Sequence, residues 1–177
     1  MKRRSVIILL LAISLAGCQT VGPVRSQTQP SWRACFSPRG GCTQLIVDTL
    51  AGARSTILVQ AYSFTSEPIA QALVDAHRRG VDVAVIVDKS QRTEDDARIQ
   101  PLLDAGIPVL IDAAHAIAHN KVMVIDGTTV LTGSFNFTQA AEERNAENLL
   151  VIRDAALTAK YAANWHQHEA HSQPYVP

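Results

Sequence analysis

Two short apolar runs, separated by an amphipathic segment, constrain the fold of this chain more than any other feature of its sequence. The runs are TILVQAYSF at 56–64 and VDVAVIVD at 81–88, and their length and β-branched content are typical of buried strands. Between them, Ser66 is a helix N-cap signal and Gly80 is a stop signal. A buried strand, a helix and a second buried strand in succession predict a sheet that is covered by helices.

The same alternation continues along the rest of the chain. Further helices are expected at 42–53, around Leu102 and at 155–170, and further strands at 107–112, 119–126, 128–134 and 148–153. No internal repeat divides the sequence. The chain is therefore predicted to form a single α/β domain, in which a mixed β-sheet is flanked by helices on both faces.

The first residues have the features of an export signal. Basic residues at 2–4 precede an apolar stretch at 6–15, which is short for a membrane-spanning helix. The stretch ends in Leu15-Ala16-Gly17-Cys18, which resembles the lipobox of bacterial lipoproteins. The resemblance implies cleavage before Cys18 and lipidation of that residue, and an uncleaved membrane anchor is the alternative.

These features divide the chain into four expected segments. They are a signal peptide at 1–17, a lipidated N-terminus and tether at 18–40, a folded domain at 41–171 and a tail at 172–177. Gln19 stands where inner-membrane lipoproteins usually carry Asp. The resemblance therefore implies a lipid-anchored protein of the cell envelope, held in the outer membrane and facing the periplasm.

The charge balance excludes one way of binding nucleic acid. The chain has 16 basic and 16 acidic residues, and loss of residues 1–17 would leave 13 basic residues against 16 acidic ones. A mature chain with a net charge of about −3 does not bind a polyanion through a broad positive field. Any polyanionic substrate must be held by a local patch.

Two cysteines remain after Cys18. Cys35 and Cys42 have six residues between them, in CFSPRGGC, where a proline and two glycines favour a turn. A disulfide is permitted outside the cytoplasm, so we expect these cysteines to pair if the local geometry allows it. A metal site here is disfavoured because no second CxxC or nearby histidine completes a ligand set.

Polar side chains stand at the ends of a predicted hairpin, in AHNKVMVIDGTTVLTGSFNF at 118–137. His119 and Lys121 face the same side of a strand because the side-chain period is two. A tight-turn signal follows at 126–127, so Ser134 and Asn136 return to the start of the first strand. Three of these groups can donate to phosphate oxygens and the imidazole can act as a nucleophile or proton carrier. The hairpin therefore predicts a site that handles a phosphoryl group.

This spacing resembles the HKD signature of the phospholipase D superfamily. The matching positions are His119, Lys121, Asp126, Gly133, Ser134 and Asn136. AYSFTSEPIAQALVDAHRRGVDVAVIVD and RNAENLLVI are also similar to the small, single-motif bacterial endonuclease of that superfamily. The resemblance covers about 42–170 and implies the phospholipase D-like fold.

What the resemblance implies is a two-step displacement at a phosphodiester. One imidazole attacks phosphorus to give a covalent phosphohistidine, and a second protonates the leaving oxygen and later activates water. Lys121, Ser134 and Asn136 are expected to hold the phosphate. Glu147 is the position that matches the carboxylate that orients the catalytic histidine. The resemblance implies no divalent metal and no other cofactor.

The chemistry needs two imidazoles, whereas the chain carries one motif. In the nuclease that it resembles, the second imidazole comes from an identical subunit, so we expect a homodimer with one shared active site. His115 is the alternative source of the second imidazole. Asp126 and Gly133 belong to the signature, and the turn position of Asp126 suggests a structural role.

Several further residues allow a functional and a plain interpretation. Lys89 and Arg92 follow the second apolar run, and they either contact substrate or solvate a loop. The histidine pair in HAIAH at 115–119 lacks the Glu of a HExxH site, and HQHEAH at 166–171 is expected to be a solvated C-terminal run. No metal site is predicted from either segment.

The sequence as a whole predicts an extracytoplasmic phosphodiesterase. A metal-independent endonuclease on DNA, with RNA as a further substrate, is the favoured activity. The first alternative is a phospholipase D that releases phosphatidate from phospholipids, which a lipid anchor would bring within reach. The second is a non-catalytic envelope lipoprotein, which the intact His-x-Lys and Ser-x-Asn pairs disfavour.

Overall fold

The structure is a computed structural model that describes residues 31–93 and 98–176. The strands in this part of the chain are β1 (Ser31–Ser37), β2 (Thr56–Ala61), β3 (Asp82–Asp88), β4 (Val109–Asp112), β5 (Lys121–Ile125), β6 (Thr129–Gly133), β7 (Glu147–Arg153) and β8 (Gln173–Pro174). The helices are α1 (Cys42–Ala51), α2 (Glu67–Arg78), α3 (Gln100–Asp104), α4 (Gln139–Glu143) and α5 (Ala155–Glu169), with a 3-10 helix at Lys89–Arg92.

All of these strands belong to one mixed sheet with the order β1-β7-β6-β5-β2-β3-β4-β8. The two parallel pairs are β2 with β3 and β3 with β4, and the connections between them contain α2 and α3. Every other pair is antiparallel. The apolar runs form the parallel strands, because a parallel strand is covered on both faces and needs apolar side chains on each. The predicted mixed sheet is confirmed.

Helices cover both faces of the sheet. One face packs against α1, α2 and α3, and Met123 and Ile125 of β5 belong to this larger core. The intervening residues Val122 and Val124 point to the other face, where α5 covers them. Because β-strand side chains alternate, a single strand supplies both cores. The predicted α/β architecture with helices on both faces is confirmed.

The sheet extends beyond the expected domain at both ends. β1 lies inside the segment 18–40 that was predicted to be a tether, and it pairs with β7 along its full length. β8 lies inside the predicted tail and pairs with β4. The domain boundaries at 41 and 171 are therefore corrected to include both strands. Pairing with a strand more than 100 residues away stabilises β1, and local periodicity carries no signal of such pairing.

Cys35 of β1 and Cys42 of α1 are joined by a disulfide, with their Cα atoms 5.5 Å apart. This separation falls within the range that disulfides span without backbone movement. The bond ties the edge strand to the first helix.

The predicted signal peptide and Cys18 lie outside the described residues. Among the helices of 31–93 and 98–176, none is long and apolar enough to cross a membrane.

Asp126 ties the hairpin turn between β5 and β6 to the segment at the start of β2. Asp126 and Gly127 have positive φ angles of 52° and 62°, as two-residue hairpin turns require. The carboxylate of Asp126 accepts hydrogen bonds from the backbone N–H groups of Arg54, Ser55 and Thr56. Burial favours a raised pKa for Asp126, but these hydrogen bonds outweigh it and lower the pKa below its usual value.

Candidate active site

The predicted site residues meet along one side of the sheet, where β2 and β6 end and β5 and β7 begin. This side is called the sheet edge below. Lys121 begins β5 and pairs with Ala61 at the end of β2. Ser134 directly follows β6, and Glu147 begins β7. Because β5 and β7 run antiparallel to β2 and β6, these ends lie side by side. Asp126 lies at the opposite edge, in keeping with a structural role.

An aromatic ring lies against both residues of the His-x-Lys pair. The imidazole of His119 is exposed, and its ring centroid is 4.5 Å from that of Tyr62. The ammonium of Lys121 lies 4.9 Å from the same ring and donates to the main-chain carbonyl of His119 at 2.7 Å. Tyr62 therefore positions the imidazole and the cation together. Sequence reasoning missed Tyr62, although its place directly after a buried strand was a signal.

Lys121 is the buried cation of the site. The residue is only 6% exposed. Burial lowers the pKa of its ammonium below the ordinary value, and the nearby charge of Glu147 partly opposes that shift. A buried ammonium that has lost hydration gains most when an anion arrives. The site is thus prepared to bind a negatively charged group.

Glu147 acts on Lys121 and not on His119 in this structure. Its Oε1 accepts a hydrogen bond from the Asn145 side chain at 3.2 Å. Within the described residues no hydrogen bond joins Glu147 to the imidazole of His119. Orientation of the histidine by Glu147 therefore stays a prediction, and the ring contact of His119 in this structure is with Tyr62.

The hydroxyl of Ser134 is fixed by the start of β7. Its Oγ accepts hydrogen bonds from the backbone and side-chain N–H groups of Asn148, at 3.1 and 3.2 Å. Both bonds use lone pairs, so the hydroxyl proton can be donated to a phosphate oxygen. The preceding Gly133 has a φ of 152°, and a Cβ there would lie 2.2 Å from the carbonyl oxygen of Asn148. Only glycine permits this approach.

Asn136 is one of the residues that line an open polar groove. Its Oδ1 is buried and has no hydrogen-bond partner among the described residues. Leaving a buried acceptor unpaired costs about 1–3 kcal/mol, which an incoming donor would recover. The groove beside it is also lined by Tyr62, Ser63, Thr65, Arg98, Thr138, Gln139, Ala140, Arg144 and Asn145.

Arg98 and Arg144 give this groove the local positive charge that the net charge of the chain does not supply. Sequence reasoning missed both arginines because they are 46 residues apart and carry no motif of their own. The other expected substrate contacts lie elsewhere. Lys89 donates to the main-chain carbonyl of His115 at 2.9 Å, and Arg92 is an exposed residue of the 3-10 helix.

Each of the five other histidines has partners away from His119. His115, His168 and His171 surround the carboxylate of Asp112. The remaining two are His166, which contacts Glu169, and His77, which contacts the carbonyl of Val81. All six histidines lie in the described ranges. The structure therefore does not favour His115 as the second imidazole of the site.

An imidazole, a buried ammonium, a hydroxyl and an amide lie at one edge of a mixed α/β sheet, and groups of these types can donate hydrogen bonds to phosphate oxygens. Residues 46–168 match the family described as "Cardiolipin synthase, PLD-like domain". The chain belongs to this phospholipase D-like family. The resemblance that the HKD positions indicated is thereby confirmed.

Individual relatives are similar to the chain over most of its length. A "Phospholipase D" of Rickettsia bellii is 47% identical over 131 residues, which cover 74% of this chain and 65% of that protein. A "Mitochondrial cardiolipin hydrolase" of Xenopus laevis is 34% identical over 139 residues, 76% of this chain and 66% of that protein. The chain thus spans slightly less than two thirds of the length of these two relatives.

A solved structure gives the same result for the fold. The crystal structure of Nuc from Salmonella typhimurium, a phospholipase D family member, superimposes with a TM-score of 0.79 at 36% identity. The superposition covers 84% of this chain and 100% of Nuc. The predicted phospholipase D-like fold is confirmed.

Proposed function

We propose that this chain is a hydrolase that cleaves phosphodiester bonds through a covalent phosphohistidine at His119. The observation that carries the proposal is the meeting of His119, Lys121 and Ser134 at one sheet edge, with the imidazole exposed and the ammonium buried. An exposed imidazole can reach phosphorus, and a buried cation can stabilise the charge that develops on the phosphate oxygens.

The reaction proceeds in two displacements. A ring nitrogen of His119 attacks phosphorus and forms a P–N bond while the P–O bond to the leaving group breaks, and a second imidazole gives its proton to the leaving oxygen. That imidazole then takes a proton from water, whose oxygen attacks phosphorus and breaks the P–N bond. Lys121 and the Ser134 hydroxyl donate to the non-bridging oxygens throughout.

The second imidazole comes from a second copy of the chain in this proposal. Two observations support a homodimer with a shared site. The other five histidines have partners of their own, and the buried Oδ1 of Asn136 lacks a donor within the described residues. The Oδ1 atom is enclosed, so an imidazole N–H from the partner would satisfy it after the Asn136 side chain turns toward the groove. A C2 axis through the site would bring two copies of His119 together.

An exposed apolar surface next to the site fits the same proposal. Trp32 and Phe36 of β1 are 71% and 68% exposed, and they lie on the same face of the strand. Phe36 is paired with Asn148, the residue that holds the Ser134 hydroxyl. Exposed aromatic pairs of this kind are enriched in protein interfaces. A second copy that covers them would lie beside the catalytic groups.

Nucleic acid is the substrate that we favour. The polar groove that Asn136, Arg98 and Arg144 line suits the backbone of a polyanionic strand better than it suits acyl chains. The similarity to the single-motif bacterial endonuclease supports cleavage of DNA, and of RNA as a further substrate. The alternative is a phospholipase D, which the names of the Rickettsia and Xenopus relatives support.

The proposed location is the cell envelope. Lipid on Cys18 would anchor the domain, with residues 19–30 between the lipid and β1, in the outer membrane facing the periplasm. In this location the enzyme would meet phospholipids and incoming nucleic acid alike. A non-catalytic lipoprotein remains the second alternative, which the complete set of motif residues opposes.

A substrate panel tests the proposal. Protein that starts at Gln19 is incubated with plasmid DNA, single-stranded DNA, RNA, and vesicles of phosphatidylcholine or cardiolipin, next to His119→Ala and a His166→Ala control. We expect cleavage of nucleic acid that His119→Ala abolishes and His166→Ala keeps. Phosphatidate release with intact nucleic acid would establish the phospholipase D alternative, and no turnover of any diester would contradict the proposal.

A further inference from the structure

Three histidines converge on one buried carboxylate outside the catalytic site. Asp112 ends β4, His115 lies in the loop that follows, and His168 and His171 lie at the end of α5. The Nδ1 of His168 is 2.7 Å from Asp112 Oδ2, the Nε2 of His115 is 3.6 Å from the same oxygen, and the Nε2 of His171 is 3.3 Å from Oδ1. The four potential ligand atoms all lie within 4.8 Å of one another.

The nitrogen–oxygen distances, which are measured to the two oxygens of one carboxylate, are near the spacing of ligands around a zinc ion. Nitrogen and oxygen ligands lie about 2.0–2.1 Å from Zn²⁺, so two ligands at tetrahedral angles are about 3.3 Å apart. The three nitrogen–oxygen distances, 2.7, 3.3 and 3.6 Å, bracket that value. Three imidazoles and one carboxylate are also a ligand set that zinc prefers over calcium or magnesium, which favour oxygen ligands.

The surroundings distinguish this cluster from a group of surface histidines. The side chain of Asp112 is fully buried, while those of His115 and His171 are 46% and 37% exposed. Each pair of the three imidazole rings has centroids 5.0–5.3 Å apart. The buried carboxylate already draws the three rings together, and a shared cation would bind the rings and the carboxylate at once. The open side of the cluster gives an ion a path to the buried carboxylate.

Hydrogen bonds beneath the cluster hold the ligands in place. The backbone N–H of Ala114 donates to Asp112 Oδ1 at 3.0 Å. Lys89 donates to the carbonyl of His115, and the hydroxyl of Ser172 donates to the carbonyl of His168 at 2.7 Å. The contact to Asp112 is of the type that orients metal ligands in proteins, and the other two fix the main chain at His115 and His168.

We propose that Asp112, His115, His168 and His171 form a structural zinc site. Four protein ligands close the coordination sphere, which is typical of structural zinc and leaves no position for a substrate. The ion would join the end of β4, the loop at 113–118 and the end of α5. That loop leads directly into His119, and the end next to His119 is held by a hydrogen bond from the Ala118 N–H to Asp88 at 2.7 Å.

No single segment of the sequence reveals this site. His115 stands in a loop, and His168 and His171 have the spacing of a solvated helix end. Asp112 lies 56 residues from His168 along the chain. Only the sheet, which places the end of β4 beside the end of α5, brings the four ligands together.

Zinc binding by the folded chain tests the proposal. Protein from Gln19 to the C-terminus, with any affinity tag removed because polyhistidine binds zinc itself, is titrated with Zn²⁺ against a chromogenic chelator. Metal content is measured by mass spectrometry. We expect one zinc per chain, a zinc-dependent rise in the midpoint of thermal unfolding, and a tetrahedral visible spectrum after replacement by Co²⁺.

Single substitutions identify the ligands. His115→Gln and His171→Gln change partly exposed side chains, so the variants are expected to fold, which circular dichroism checks. Each should weaken zinc binding at least about tenfold and abolish the thermal shift. His166→Gln is the matched control, because this neighbouring histidine contacts Glu169 and lies outside the cluster. Zinc uptake below one ion per chain, or equal affinity in the three variants, would overturn the proposal.

Discussion

The ammonium of Lys121 donates a hydrogen bond to the main-chain carbonyl of His119 at 2.7 Å, so the cation of the site fixes the backbone that carries the imidazole. The two residues are therefore coupled through a backbone contact as well as through their order in the motif. The ring of Tyr62 lies against both of them. Substitutions at these three positions separate the chemical role of each group from its role in positioning.

Removal of the imidazole is predicted to abolish turnover without unfolding the chain. His119 is exposed and its ring has Tyr62 as its neighbour, so His119→Ala removes little buried surface. We expect a loss of about 10⁴-fold or more in kcat, because the nucleophile is absent. Rate measurements and thermal unfolding on the same preparations check both parts. If His119→Ala is unfolded under conditions in which the wild type is folded, the residue has a structural role.

Removal of the buried cation is predicted to lower activity without lowering stability. Lys121→Met keeps the length of the side chain and removes a charge that burial disfavours. We expect kcat to fall about 10²–10³-fold, because developing charge on phosphate oxygens is no longer balanced. The free energy of unfolding should stay unchanged or rise. A large fall in stability with modest loss of activity would contradict this account.

Tyr62 is predicted to act by positioning. Tyr62→Leu should lower kcat about 10–100-fold by releasing the imidazole and the ammonium, with a smaller change in KM. Tyr62→Phe keeps the ring and should stay within a few-fold of the wild type. Steady-state kinetics with both variants distinguish the two. Equal losses in Tyr62→Phe and Tyr62→Leu would assign the effect to the phenol hydroxyl instead.

Acid stability is predicted to depend on Asp126. Its folded-state pKa is lowered, so its stabilising contribution is complete above the unfolded-state pKa and is lost as the pH falls through the folded-state pKa. Asp126→Asn should destabilise the protein by about 1–2 kcal/mol at neutral pH, after allowance for solvent screening. The difference in the free energy of unfolding between the wild type and Asp126→Asn should shrink at acid pH. Chemical denaturation at a series of pH values measures this difference. Asp82→Asn, an exposed aspartate of β3, is the control and should show no such trend.

The exposed aromatic residues of β1 are predicted to form part of the homodimer interface. Trp32→Glu combined with Phe36→Glu should give a monomer with little activity, because the shared site cannot assemble. Val176→Glu changes another exposed apolar residue and should leave the dimer intact. Sedimentation equilibrium and activity are measured on the same samples. A wild-type chain that is monomeric and fully active would remove the shared site from the mechanism.

Patterns in the sequence were sufficient to predict the central hairpin and the parallel strands. The apolar runs at 56–64 and 81–88 become β2 and β3, and the turn at 126–127 brings Ser134 to the same sheet edge as Lys121. These features depend on local periodicity and turn chemistry, which a sequence displays directly.

Features that depend on contacts between distant segments could not be predicted in the same way. β1 exists because β7 pairs with it, and SWRACFS alone has no strand periodicity strong enough to show this. Tyr62, Arg98 and Asn148 join the site through the sheet and not through a motif. The helix end with His168 meets Asp112 for the same reason.

Direct detection of the covalent intermediate tests the central claim most sharply. The protein is mixed with a single-stranded oligonucleotide, or with phospholipid if that proves to be the substrate, and quenched in alkali within a few turnovers, since phosphohistidine is labile in acid. Proteolysis and mass spectrometry then locate the adduct. We expect the phosphoryl fragment of the substrate on the peptide that contains His119, and none in His119→Ala. An adduct on another residue, or no adduct during measurable turnover, would contradict it.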